Sequence, residues 1–141
     1  MKWKLMIAAF AFCAGVASTP AQLGAVKVKV QVPFTFGVAN RTMPAGEYVL
    51  WSDRTEVLLR DSDGEIVAML ATNRVVRGGS NSGQVVFHCY EGKCFLSQLW
   101  MPDAEQGREV LESKAERELA KQKEPQMFAL QGSSKSQRPG N

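Results

Sequence analysis

Residues 26–32 alternate Val-Lys-Val-Lys-Val-Gln-Val, the two-residue period of a strand with one face in a core and the other in water. Pro33 ends that ladder or marks an edge. Phe34, Phe36 and Val38 resume the alternation, and Asn40 begins a turn region. Met43-Pro44-Ala45-Gly46 carries Pro and Gly in the manner of a type II turn and leads into a strand over 47–51. Asp53-Arg54 turns the chain into a strand over 56–60, and Asp61-Ser62-Asp63-Gly64 turns it again. Residues 65–72 hold the continuous apolar run 66–71, which predicts a central strand covered on both faces; a short helix has the same apolar signature. The Gly- and Ser-rich stretch 77–83 is a mobile loop, and after it comes the strongest hairpin signal of the chain, 84–90 with 93–101, closed by Pro102.

The last part changes character. Ser113 and Glu116 form a capping-box pattern ahead of Ala115 and Leu119, which predicts a helix over 114–124 ended by Pro125. Its apolar stripe is narrow, so the helix rests one edge on the sheet or stands in solvent, aided by Lys114 and Glu118 at the i, i+4 spacing. Met127, Phe128 and Leu130 supply a short final strand over 126–131, and 132–141 is polar with the composition of a disordered tail. The pattern therefore predicts an all-β fold, an antiparallel sandwich or small barrel of about six to seven strands, with one C-terminal α-helix. The organisation is 1–21 as signal peptide, 22–110 as β-domain, 111–125 as helix, and 126–141 as short strand or disordered tail.

The signal peptide follows from Met1-Lys2-Trp3-Lys4, a short basic start, and the apolar run of twelve residues 5–16, too short to span a bilayer. Small residues then place cleavage after Ala21, with Ala17 as the alternative. Phe12 before Cys13 does not fit a lipid-attachment signal. Lys2 and Lys4 leave with the segment, so 15 of the 17 basic residues remain against 14 acidic ones, a balance that names no electrostatic partner. Basic residues lie scattered among carboxylates rather than in a stripe, which argues against nucleic acid, and no stable membrane span remains after cleavage. The expected location is periplasmic or extracellular.

Of three cysteines, Cys89 and Cys94 survive processing, and an exported pair reads first as a disulfide. Glu91-Gly92 as a two-residue turn sets Tyr90 opposite Lys93 and Cys89 opposite Cys94, a non-hydrogen-bonded pair, with His88 opposite Phe95 on the face of Val86, Tyr90 and Ser97. The ring is small, so the bridge is worth about 2 kcal/mol and pins a hairpin rather than a domain.

Val32-Pro33-Phe34-Thr35-Phe36, Met43-Pro44-Ala45-Gly46-Glu47-Tyr48, Val86-Phe87-His88, Phe95-Leu96-Ser97-Gln98-Leu99-Trp100 and Ala115-Glu116-Arg117-Glu118-Leu119-Ala120 stand in this order along most of the mature chain. The series resembles a family of small exported bacterial proteins of unassigned function. In that family the position after Val-Pro-Phe is commonly acidic and the hairpin tip carries Arg and Tyr, so Thr35, Cys89 and Cys94 depart from its pattern and the disulfide is particular to this chain. The resemblance implies a signal peptide and a β-rich domain, with no activity, substrate or cofactor.

Candidate chemistry is sparse. His88 is the single histidine, and it points away from its neighbour Cys89 on a strand, which opposes a zinc site. No G-x-S-x-G elbow sets a nucleophile beside it. Asp61 and Asp63 before Gly64 lack the further ligands of a calcium loop and read as a turn. Trp51, Trp100, Tyr48, Tyr90, Phe34 and Phe36 read as core, with a pocket or stacking surface as the alternative. No catalytic, cofactor-binding or metal residue is expected; His88, Tyr90 and Trp100 are the candidate ligand contacts, and Cys89 and Cys94 the disulfide. The expectation for function is an exported non-catalytic β-domain that binds a protein, a surface polymer or itself, with a small barrel carrying an apolar ligand as the alternative.

Overall fold

The computed structural model describes residues 27–53, 55–76, 82–102 and 104–135. The expected signal peptide over 1–21, most of the stretch 77–83 read as a loop and residues 136–141 lie outside the described residues. The fold is all-β with one short helix. Strand β1 (Lys27–Val32) buries Val28, Val30 and Val32 and exposes Lys27, Lys29 and Gln31, as the alternation requires. β2 (Phe36–Val38) and β3 (Arg41–Met43) form a hairpin whose turn residues Ala39 and Asn40 have φ of 47° and 61°. β4 (Gly46–Asp53), β5 (Glu56–Arg60) and β6 (Ile66–Val76) follow. Neither Ala45 nor Gly46 has positive φ, so no type II turn forms there; the Tyr48 hydroxyl instead donates to the Pro44 carbonyl at 2.6 Å. Between β5 and β6 the Asp61 carboxylate accepts from the amides of Asp63 and Glu65, each at 3.0 Å, so its lone pairs serve the turn.

The chain continues with β7 (Gln84–Tyr90), β8 (Lys93–Trp100), β9 (Gln106–Val110), α1 (Lys114–Ala120), β10 (Gln126–Gln131) and β11 (Ser133–Lys135). That makes eleven strands among the described residues, against an expectation of six to seven. The extra ones are short or polar: Arg41–Met43, Gln-Gly-Arg-Glu-Val over Gln106–Val110, and Ser133–Lys135 carry no apolar alternation, and neighbouring strands alone make them extended. One ladder is parallel where all were expected antiparallel, β2 against β8, pairing Phe36 with Cys94. β6 is a strand, not a helix, but it is not covered on both faces: Ala68 and Leu70 point into the core while Ile66 and Met69 are exposed. The strands also extend past the expected domain boundary at 110, since β10 pairs with β7 and β11 with β1.

The strands follow the order β10-β7-β8-β9-β6-β5-β4-β1-β11. β6 serves two neighbours in turn, with 66–71 on β5 and 72–76 on β9. The two ends of the path, β10 and β11, are successive pieces of one segment joined at Gly132, whose amide donates to the Gly83 carbonyl at 3.0 Å. A Cβ at Gly132 would collide with Val28, so only glycine lets the segment pass β1 this closely. Val28, Val30, Val32, Leu50, Val57 and Leu59 face Val85, Phe87, Leu96 and Leu99 across one core. Phe36 stands edge-on to both Phe87 and Tyr48, with ring centroids 5.4 and 5.1 Å apart. These side chains leave no room for a water molecule at the centre.

Candidate functional site

The β7–β8 hairpin has an inner and an outer face, and the turn that closes it fixes which residue goes where. Glu91 and Gly92 both have positive φ, 46° and 85°, the two-residue turn whose twist matches the flanking strands. The ladder pairs Tyr90 with Lys93, Cys89 with Cys94 and His88 with Phe95. Cys89 and Cys94 stand at disulfide distance on the inner face, S–S 2.05 Å and Cα–Cα 4.0 Å, the narrow spacing of a non-hydrogen-bonded pair. One step on, Phe87 pairs with Leu96 but Val86 with Gln98, so Ser97 is a bulge residue. It shares the outer face with His88, and its hydroxyl lies 3.2 Å from Nε2 and 3.5 Å from Nδ1 of that ring.

Helix α1 roofs this outer face. Ser113 caps it, its hydroxyl accepting from the Glu116 amide at 3.2 Å, so the helix starts where the capping pattern places it. It ends at Ala120, one turn earlier than expected, and Glu118 pairs with Lys121 at 3.1 Å rather than with Lys114. Glu116 is the one buried residue of the helix, 3% exposed. Its Oε1 accepts from the Tyr90 hydroxyl at 3.4 Å and lies 3.5 Å from His88 Nδ1. Beyond the helix end, Lys123 forms an ion pair with Glu91 at the hairpin tip.

Burial pushes the Glu116 carboxyl up to about 7; the charge of Glu112 adds to the rise, the Tyr90 hydrogen bond opposes it, and Glu109 adds a little more. Tyr90 is pushed up to about 12, by burial first and then by the negative charges of Glu116 and Glu112. Burial rather than the imidazole therefore governs Glu116, which holds a proton up to neutral pH.

Ser97, His88 and Glu116 are the residue types of a catalytic triad, but their geometry is not one. A triad hydroxyl lies along the lone pair of one ring nitrogen and far from the other, whereas Ser97 Oγ is nearly equidistant from both. Ser97 is also only 4% exposed. Among the described residues no three His, Cys, Asp or Glu side chains converge as metal ligands. Of the three candidate ligand contacts, His88 is partly open, with 17% of its side chain exposed. Tyr90 and Trp100 are buried; the Trp100 indole covers Gly107, where a Cβ would collide with it, and its Nε1 donates to Gln98 at 3.0 Å. The sequence reading missed Glu116 as a partner of His88 because the capping box already accounted for a glutamate there. Its spacing of three from Leu119 was the signal that it shares the stripe facing the sheet.

Two exposed features lie elsewhere. A groove of about 190 Å³ runs between Met69 and Ala71 of β6, the Ala39-Asn40 turn and the link at Leu111 and Ser113. β10 exposes Met127 and Phe128, 64% and 49% accessible, and Phe128 stands edge-on to Phe34 at 6.2 Å. No helix among the described residues is long and apolar enough to cross a membrane. Comparison with protein-family models, with curated proteins and with solved structures finds no match for this chain.

Proposed function

We propose that this is an exported, non-catalytic module that binds an extended segment of another polypeptide along the outer edge of β10. The observation that carries the reading is the edge itself. All six residues of β10 pair with β7 on one side, and no strand among the described residues pairs with the other side. Cys89 is in a non-hydrogen-bonded pair with Cys94, so its own amide and carbonyl point towards β10, and its partner Gln126 bonds to it. By alternation Phe128 also bonds to β7, while Met127 and Ala129 direct their amides and carbonyls to the open edge. Edges of this kind are usually blunted by charge or proline, yet 126–131 holds neither. Unpaired backbone groups next to exposed apolar side chains suit a strand of polypeptide better than a polysaccharide.

In this reading the strands form a flattened barrel, closed through 126–135 at one corner and split where β10 diverges from β1. The Cys89–Cys94 pair fits an oxidising compartment outside the cytoplasm, and the order of short motifs fits the small exported family that the sequence resembles. The filled interior gives the apolar-carrier alternative no support. The test is selection of a random ten-residue peptide library on the mature chain. Enriched peptides alternate apolar residues with period two, and they bind Ala129→Pro at least tenfold more weakly, because proline at 129 removes an outward amide without touching the β7 ladder. Peptides with helical periodicity, or equal binding to Ala129→Pro, would place the contact elsewhere.

A further inference from the structure

We propose that α1 is a pH-operated latch: the helix is docked on the outer face of β7–β8 while the buried Glu116 carboxyl holds its proton, and it is released when that proton leaves. The helix is attached mainly at one side chain, Glu116, with Leu119 half-buried on the same stripe. A seven-residue helix is too short to persist by itself in water, so its order depends on what it packs against. Only Glu116 of that helix is buried, and what it meets is polar: the Tyr90 hydroxyl and the His88 ring. An apolar anchor would hold at every pH. A carboxyl anchor holds according to its charge.

The surroundings decide which charge is tolerated. From β7 the carboxyl faces His88 and Tyr90. β9 adds the carboxylate of Glu109, the link before the helix adds Glu112, and β8 adds the neutral hydroxyl of Ser97, which meets His88, and the exposed Lys93 across the ladder from Tyr90. Lys121 is taken by Glu118 and Lys123 by Glu91, both away from the buried carboxyl. With its proton on, the carboxyl is neutral and tolerates burial beside the phenol and the imidazole. Removing that proton leaves a buried anion repelled by two further carboxylates, with the Tyr90 hydroxyl and one imidazole nitrogen as its polar neighbours. The direction follows from linkage. The carboxyl binds its proton more tightly docked, near 7, than free, at 4.5, so docking is strongest below pH 4.5 and weakens until pH has passed about 7. Release uncovers Tyr90 and, beside it, His88, on a face that is otherwise roofed.

Amide hydrogen exchange on the mature chain, corrected for intrinsic rates, reads the latch directly. Between pH 4.5 and pH 7 protection of 114–120 falls by up to about tenfold for each pH unit and levels off above 7, while β7 and β8 amides keep theirs. Glu116→Gln keeps a neutral hydrogen-bonding anchor of the same shape and makes that protection flat with pH. Glu112→Gln, which leaves the anchor in place, moves the midpoint towards lower pH. A wild-type helix equally protected at pH 6 and 8.5 overturns the latch, and so does a Glu116→Gln variant with the wild-type pH dependence. Should Glu116→Gln not fold, carboxyl carbon NMR of the wild type decides: a Glu116 midpoint near 7 upholds the proposal, and one near 4.5 refutes it.

Discussion

The two faces of the β7–β8 hairpin are made by the same fifteen or so residues and are held together in opposite ways. Inward, Val85, Phe87, Cys89, Leu96 and Leu99 meet apolar side chains from β1, β4 and β5 in a core with no room for water. Outward, His88 and Tyr90 meet one carboxyl on a helix of seven residues, with Ser97 against the His88 ring. The inner face derives its stability from area removed from water, which is indifferent to pH. The outer face depends on polar groups whose burial is tolerated only when each has a partner and the right charge. A strand hairpin thus separates what fixes the fold from what can change within it.

The comparison breaks first at Phe87, 1% exposed and in edge-on contact with both Phe34 and Phe36. Phe87→Ala is expected to lower unfolding free energy by about 3–5 kcal/mol in urea titrations, equally at pH 6 and pH 8.5. The next largest effect belongs to the bridge. Cys89→Ser with Cys94→Ser costs about 2 kcal/mol, the worth of closing a small ring, and also leaves two hydroxyls facing a dry core. A loss that depended on pH in either case would show that the inner face is coupled to the titrating cluster, and the contrast between the faces would fail.

Glu116→Gln sharpens the contrast from the outer side. A carboxyl raised from 4.5 to about 7 stabilises the folded state fully below pH 4.5 relative to high pH, and that share is lost as pH rises through 7. Glutamine does not titrate, so the variant is expected to match wild type near pH 5 and to exceed it by about 1–3 kcal/mol at pH 8.5. The check is the difference of two denaturation curves at each pH, and a difference of equal size at both pH values would refute the assignment. Ser113→Ala, which removes the acceptor for the Glu116 amide, is expected to cost about 1 kcal/mol of helix stability, seen as loss of protection confined to α1.

What the sequence made legible follows the same division. The hairpin register was readable residue by residue, because a two-residue turn at Glu91-Gly92 leaves one alignment and the alternation of Val85, Phe87 and Cys89 agrees with it. The start of α1 was readable from Ser113 and Glu116 for an equally local reason. β3, β9 and β11 were not, since Arg41–Met43, Gln106–Val110 and Ser133–Lys135 are extended only because a neighbour supplies the ladder. β6 was read as doubly covered because an apolar run does not say which of its side chains finds a partner, and Met69 and Ile66 find none in the core. Least legible was the meeting of Glu116 with Tyr90 and His88. It joins residues 26 and 28 positions apart through a helix whose docking no local pattern encodes.

The smallest expected effect tests whether the charges around α1 matter by sign or by burial. Lys121 and Glu118 form a 3.1 Å pair at i, i+3, but their side chains are 70% and 60% exposed. Water already solvates both, and holding two long side chains together costs rotamer freedom, so Lys121→Ala should change stability by no more than about 0.5 kcal/mol. Lys123 is the informative companion, because it pairs with Glu91 across the gap between helix end and hairpin tip and is only about a third exposed. Lys123→Ala is expected to cost about 1 kcal/mol or less, with the loss shrinking at high salt. If either lysine moved stability as much as Glu116→Gln does at pH 8.5, the helix would be held by its surface charges, and the buried carboxyl would lose its place as the point on which docking turns.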